Sequence, residues 1–114
     1  MKRIEAIIPN NKMSLVVSSI EDIGVTGITA IESRGRGKGV RPSVRSSRGT
    51  KMQPAEYNNL ITIITIVDDS KADRVISAIL DVASTGTNGD GKIFVSSVER
   101  MVDIQTKKQS ENVV

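Results

Sequence analysis

Two β-α-β patterns of similar length, separated by a long stretch with no hydrophobic period, predict an α+β fold for this chain of 114 residues. The strand patterns are apolar on both faces, whereas each helix pattern carries a single apolar stripe. The order βαββαβ fits a ferredoxin-like arrangement, an antiparallel sheet of four strands with both helices on one face. The other face of such a sheet stays open, and self-association into a closed cyclic oligomer is the expected way to bury it.

The first strand is Lys2 to Ile8, closed by the turn residues Pro9-Asn10-Asn11. Met13, Val16, Val17, Ile20 and Ile23 then recur at helical spacing, and Gly24 stands where a helix ends on a left-handed residue. Met13, Val16 and Ile20 are its expected core positions. Val25 to Ile31 is rich in β-branched residues and is read as the second strand. From Arg34 to Asn59 the pattern stops, and the segment holds four glycines with Pro42 and Pro54. Loops of that length are uncommon in compact domains unless they are functional or disordered. Leu60 to Val67 is the strongest strand, with Ile61, Ile63 and Thr65 alternating against Leu60, Ile64 and Ile66. Ser70-Lys71-Ala72-Asp73 has the form of a capping box, and Ala72, Val75, Ile76, Ile79, Leu80 and Ala83 continue at helical spacing. Thr85 to Gly91 is a glycine-rich turn, and Lys92 to Val98 is the fourth strand. One domain is expected over residues 1–106, with a polar, mobile tail over 107–114.

The chain has no cysteine and no histidine, which excludes disulfides, thiolate chemistry, histidine catalysis and soft-metal sites. Tyr57 and Phe94 are its only aromatic residues, too few for a platform on which successive bases stack. The net charge of +3 conceals a sharp division. Arg34, Arg36, Lys38, Arg41, Arg45, Arg48 and Lys51 crowd one segment without an acid, leaving nine basic against thirteen acidic residues elsewhere. No secretory signal and no membrane-length apolar run is read, so a cytoplasmic location is expected.

The turn from Gly86 to Lys92 is the best chemical candidate, because glycines let backbone N–H groups approach an anion and Lys92 adds a charge. An ordinary helix-to-strand turn is the plainer alternative. The basic segment reads as a nucleic-acid arm, a partner-docking loop or a solvated loop. Asp68, Asp69 and Asp73 lie at a helix start, where capping and dipole roles outweigh cation binding. No nucleophile-base pair can be assembled, so the chain is not read as an enzyme.

Met1-Lys2-x-Ile4-Glu5-Ala6-Ile7-Ile8, Ile23-Gly24-Val25-Thr26-Gly27-Ile28-Thr29 and Thr85-Gly86-x-x-Gly89-Asp90-Gly91-Lys92-Ile93-Phe94-Val95 together resemble the PII signal-transduction proteins. The resemblance runs from Met1 to about Thr106 and puts the basic segment, about residues 35–57, in the place of the family's T-loop. It implies a homotrimer that binds ATP or ADP in clefts between subunits and docks on a transporter or metabolic enzyme, often an ammonium channel. Gly89, Asp90, Gly91 and Lys92 match the B-loop that holds nucleotide phosphates. Ile7, Thr29, Gly35, Gly37 and Thr65 match positions near the adenine and the base of the T-loop. Arg36 and Lys38 are candidates to add phosphate contacts, while Arg41, Arg45, Arg48 and Lys51 form the partner-binding part of the loop.

The departures are specific. Two C-loop arginines of the family fall on Asp103 and Gln105, and the T-loop glutamine that joins magnesium is absent from the GRGKG stretch. The lysine that pairs with 2-oxoglutarate falls on Asn59, and the uridylylated tyrosine falls on Met52, with Tyr57 displaced from it. These changes argue against 2-oxoglutarate sensing and leave magnesium a place only on ATP phosphates. The expected function is an energy-state regulator that controls a transporter or enzyme and is recruited to the membrane by a transporter. The alternatives are a nitrogen-status regulator of an ammonium channel or assimilation enzyme, and a nucleic-acid-binding module built on the basic loop.

Overall fold

The computed structural model describes residues 1–37, 43–45, 52–54 and 57–110. Strand β1 (Lys2–Pro9) leads through a 3-10 turn (Asn10–Lys12) into helix α1 (Met13–Asp22) and strand β2 (Ile28–Gly35). Two short strands, β3 (Ser43–Arg45) and β4 (Met52–Pro54), precede β5 (Asn58–Val67), α2 (Asp69–Ala83) and β6 (Lys92–Ser97). A final pair, β7 (Met101–Val102) and β8 (Gln109–Ser110), follows. The main sheet has four strands in the order β2-β5-β1-β6, and each neighbouring pair is antiparallel. This is the open sheet that the βαββαβ pattern predicts.

Alternation in β1 and β5 decides which face is covered. Ile4, Ala6 and Ile8 pair with Thr65, Ile63 and Ile61, and all six are buried against the helices. Val16 and Ile20 of α1 and Ala72, Val75, Ile79 and Ala83 of α2 close the core. Each large aliphatic side chain buried there contributes about 1.5–3 kcal/mol by removal from water. The intervening residues form the open face: Ile7, Leu60, Ile64 and Ile66 with Ile31 of β2 and Phe94 of β6. Arg3 and Glu5 pair there at 3.3 Å.

Helix α1 ends as its glycine predicts. Gly24 adopts φ +87°, its N–H bonds the Glu21 carbonyl at 2.9 Å, and the Val25 N–H reaches back to Ile20. Several expectations are corrected. The second strand begins at Ile28 and runs on to Gly35, because Val25 tucks into the core as loop before the sheet starts. Met13 opens α1 and is 36% exposed, and Leu80 is 51% exposed, so neither is core. Ser70 lies inside the first turn of α2, so the capping box read over residues 70–73 does not sit at the helix boundary.

The basic segment contains a short antiparallel ribbon, β3 on β4, where no element was expected. Strand β8 pairs with β7, so residues 109–110 of the expected mobile tail belong to a hairpin. Asp103 closes that hairpin: its Oδ1 accepts the Thr106 N–H at 2.9 Å, and its carbonyl accepts the Lys107 N–H at 2.7 Å. Among the described residues, no helix is long and apolar enough to cross a membrane.

Candidate functional site

The glycine-rich turn joins α2 to β6 and is folded around a single carboxylate. Asp90 Oδ2 accepts the backbone N–H groups of Thr85 at 2.7 Å, Gly86 at 2.9 Å and Thr87 at 3.3 Å. Its Oδ1 accepts the hydroxyl of Thr85, and that of Thr87 at 3.2 Å. These bonds, the Thr85 hydroxyl first, hold the Asp90 carboxyl well below the usual carboxylate range, because each donor favours the ionised form. Gly86 and Gly91 take φ +83° and +103°, values that L side chains rarely adopt.

Gly91 is also a point of close approach. A Cβ there would run into the carbonyl oxygen of Ile7 and stand 3.0 Å from its carbonyl carbon. Ile7 pairs with Lys92 in the register of β1 on β6, so the turn is seated on the sheet just before the lysine.

A cleft of about 240 Å³ opens beside this seat. Seven residues expected from the sequence line it: Ile7, Gly35, Arg36 and Gly37 from the β1 and β2 side, and Gly89, Gly91 and Lys92 from the turn. Asn58, Leu60 and Phe94 complete it and were not anticipated. Leu60 and Phe94 were legible in principle, since alternation puts both on the open face with Ile7. Arg36 and Lys92 give the cleft two cations, glycines keep its wall close to the backbone, and Ile7, Leu60 and Phe94 supply an apolar floor. Such a lining suits a ligand with an anionic end and a flat apolar end. The guanidinium carbon of Arg36 lies over the Tyr57 ring, 5.8 Å from its centroid.

Thr29 and Thr65 do not reach this cleft. They line another, of about 510 Å³, with Ile64, Ile66, Arg100 and Met101. Thr29 and Gly35 belong to the same strand, and their separation along it is about 20 Å at an ordinary strand rise. The Thr65 hydroxyl donates to the Gly27 carbonyl at 2.7 Å, bracing the loop that enters β2. Asp90 lines neither cleft, its oxygens being turned back into the turn.

Arg45 lies on β3, and Lys38, Arg41, Arg48 and Lys51 lie outside the described residues. Asp69 stands in the first turn of α2, where a carboxylate suits the helix dipole. Among the described residues, no cluster of acidic side chains is arranged to hold a metal ion.

A family model described as Nitrogen regulatory protein P-II matches residues 1–108. Similar relatives include the nitrogen regulatory proteins P-II of Pasteurella multocida, 38% identical over 114 residues, and of Haemophilus influenzae, 37% identical over 114 residues. The protein of the same name from Nostoc punctiforme is 36% identical over 116 aligned positions. In all three, the match covers the whole of both chains.

Proposed function

The chain belongs to the nitrogen regulatory protein P-II family, and from that premise we propose that it binds ATP or ADP at the seams of a homotrimer and signals through its basic loop. Its role is regulatory and not catalytic, as its family membership entails.

One observation carries the reading. Gly89, Gly91 and Lys92, expected at the phosphates, meet Gly35, Arg36 and Gly37 of the loop base in one cleft, while Thr29 and Thr65 line another toward the other end of β2. A ligand held between two copies, meeting one cleft of each, accommodates both sets. The apolar open face supplies the surface on which copies assemble.

In the proposed mechanism Lys92 and Arg36 hold the phosphates by charge-assisted hydrogen bonds, with the glycine turn admitting them close to the backbone. Arg36 follows β2 directly and opens the long loop, so a nucleotide that engages it biases the conformations that the loop samples. A change from ATP to ADP alters the charge facing Arg36. The loop thereby reports the adenylate state to a transporter or metabolic enzyme from the cytoplasm. Asn59 and the missing glutamine remove the acid partner and metal ligand needed for 2-oxoglutarate, and Mg²⁺ enters only on ATP phosphates.

Calorimetry with ATP, ADP, AMP and 2-oxoglutarate, on protein whose mass is measured by light scattering, tests this. Micromolar ATP or ADP binding to a species of three chains is expected. Absence of adenine-nucleotide binding up to millimolar concentration overturns the reading, and tight magnesium-dependent 2-oxoglutarate binding overturns its exclusion.

A further inference from the structure

A carboxylate in the middle of a loop meant for phosphate is electrostatically adverse, and Asp90 stands between Gly89 and Gly91, both of which line the cleft. The geometry removes the conflict. Both Asp90 oxygens face inward, where they accept three backbone N–H groups and two hydroxyls from Thr85, Gly86 and Thr87. The Asp90 N–H itself returns to the Thr87 carbonyl at 3.3 Å. A segment with glycines at 86, 89 and 91 loses much conformational freedom on ordering, and this carboxylate is the acceptor around which it orders.

We propose that Asp90 is a positioning residue of the site: it makes no contact with the ligand and folds the 85–91 turn so that Gly89, Gly91 and Lys92 are presented to the phosphates. The inference rests on the reading of the cleft as a phosphate site. It assigns the N–H groups of Thr85, Gly86 and Thr87 to Asp90, so the ligand meets only the far end of the turn.

The sign of one substitution separates positioning from a direct charge effect. Asp90→Asn removes a negative charge near the anion, so a residue acting only through its charge gives tighter ATP binding on neutralisation. The amide nitrogen cannot accept, however, so one acceptor remains where there were two: it serves either the three N–H groups or the two hydroxyls, and the bonds that remain lose the strength of a charged acceptor. Positioning therefore gives ATP affinity weaker by about tenfold or more. Thr87→Val, which removes one hydroxyl donor and leaves the charge, is expected to weaken binding by about two- to fivefold, and it adds little in the Asp90→Asn background.

The experiment is ATP titration of wild type, Asp90→Asn, Thr87→Val and the double variant at several salt concentrations, with amide exchange of residues 85–87 followed by NMR. Support consists of weaker ATP binding, faster exchange of the Thr85 and Gly86 amides, and a salt dependence in Asp90→Asn equal to wild type because the same cations meet the ligand. Unchanged or tighter binding in Asp90→Asn, or a changed salt slope, overturns the proposal while leaving the site reading intact. Wild-type protein that binds no ATP overturns both. If Asp90→Asn does not fold, Thr87→Val decides by the same criteria.

Discussion

The Arg36 guanidinium carbon stands 5.8 Å from the centroid of the Tyr57 ring, so the two legs of the long loop meet one residue beyond the last paired positions of the sheet, Gly35 and Asn58. An arginine can lay its face on a ring and still offer its N–H edges to an anion, and the contact is worth about 0.5–1 kcal/mol at an exposed site. Tyr57→Leu is expected to weaken ATP binding two- to fivefold, and Arg36→Met more. Tyr57 is the sole tyrosine and the chain has no tryptophan, so intrinsic fluorescence reports this position alone. ATP titration should change that signal in wild type and leave it flat in Tyr57→Leu.

Two glycines of the cleft should respond unequally to alanine. At Gly91 the new Cβ would meet the Ile7 backbone at φ +103°, costing about 2–4 kcal/mol in chemical denaturation. At Gly35 it would meet only the Cδ1 end of Leu60, at 2.5 Å, which can rotate away. Gly35→Ala should stay within about 1 kcal/mol of wild type, helped by the reduced freedom of the unfolded chain.

Thr65 is 2% exposed, and its hydroxyl is engaged by the Gly27 carbonyl. Thr65→Val should therefore lower stability by about 1–3 kcal/mol, since the carbonyl loses its donor. Thr65→Ser should retain most of that stability. Denaturant midpoints measure both.

The Asp90 carboxyl is held well below the usual range, the Thr85 hydroxyl first, then the Thr85, Gly86 and Thr87 donors. A carboxyl whose folded value is depressed contributes stability above its unfolded value and loses it as pH falls through the folded one. Near pH 4, where ordinary carboxylates are partly protonated, Asp90 should remain ionised and the amides of residues 85–87 protected. Carboxyl-carbon NMR titration checks this, and an Asp90 midpoint near 4 would contradict it.

Periodicity made the main sheet and both helices legible, because the covered face repeats at every second residue of β1 and β5. It misplaced the start of β2, since the β-branched residues Val25 and Thr26 belong to the loop before the strand, with Val25 buried there. The β3–β4 and β7–β8 ribbons leave no period in the sequence because their strands are only two or three residues long. At the site, Gly91 and Lys92 carried a recognisable chemical pattern. The inward turn of Asp90 did not, since residue type says nothing about which way a carboxylate faces. Equally, no local signal separates Thr29 from Gly35, although β2 carries them to opposite ends of the sheet.

The Arg3–Glu5 pair at 3.3 Å lies among the isoleucines of the uncovered face, its two side chains 42% and 28% exposed. Covering that face with hydrocarbon would strand two opposite charges away from water, at a desolvation penalty their mutual attraction need not repay. A surface that meets the pair with hydrogen-bonding groups in register avoids the penalty. On that face the pair thus disfavours a purely hydrocarbon counterpart relative to one that brings hydrogen-bonding groups.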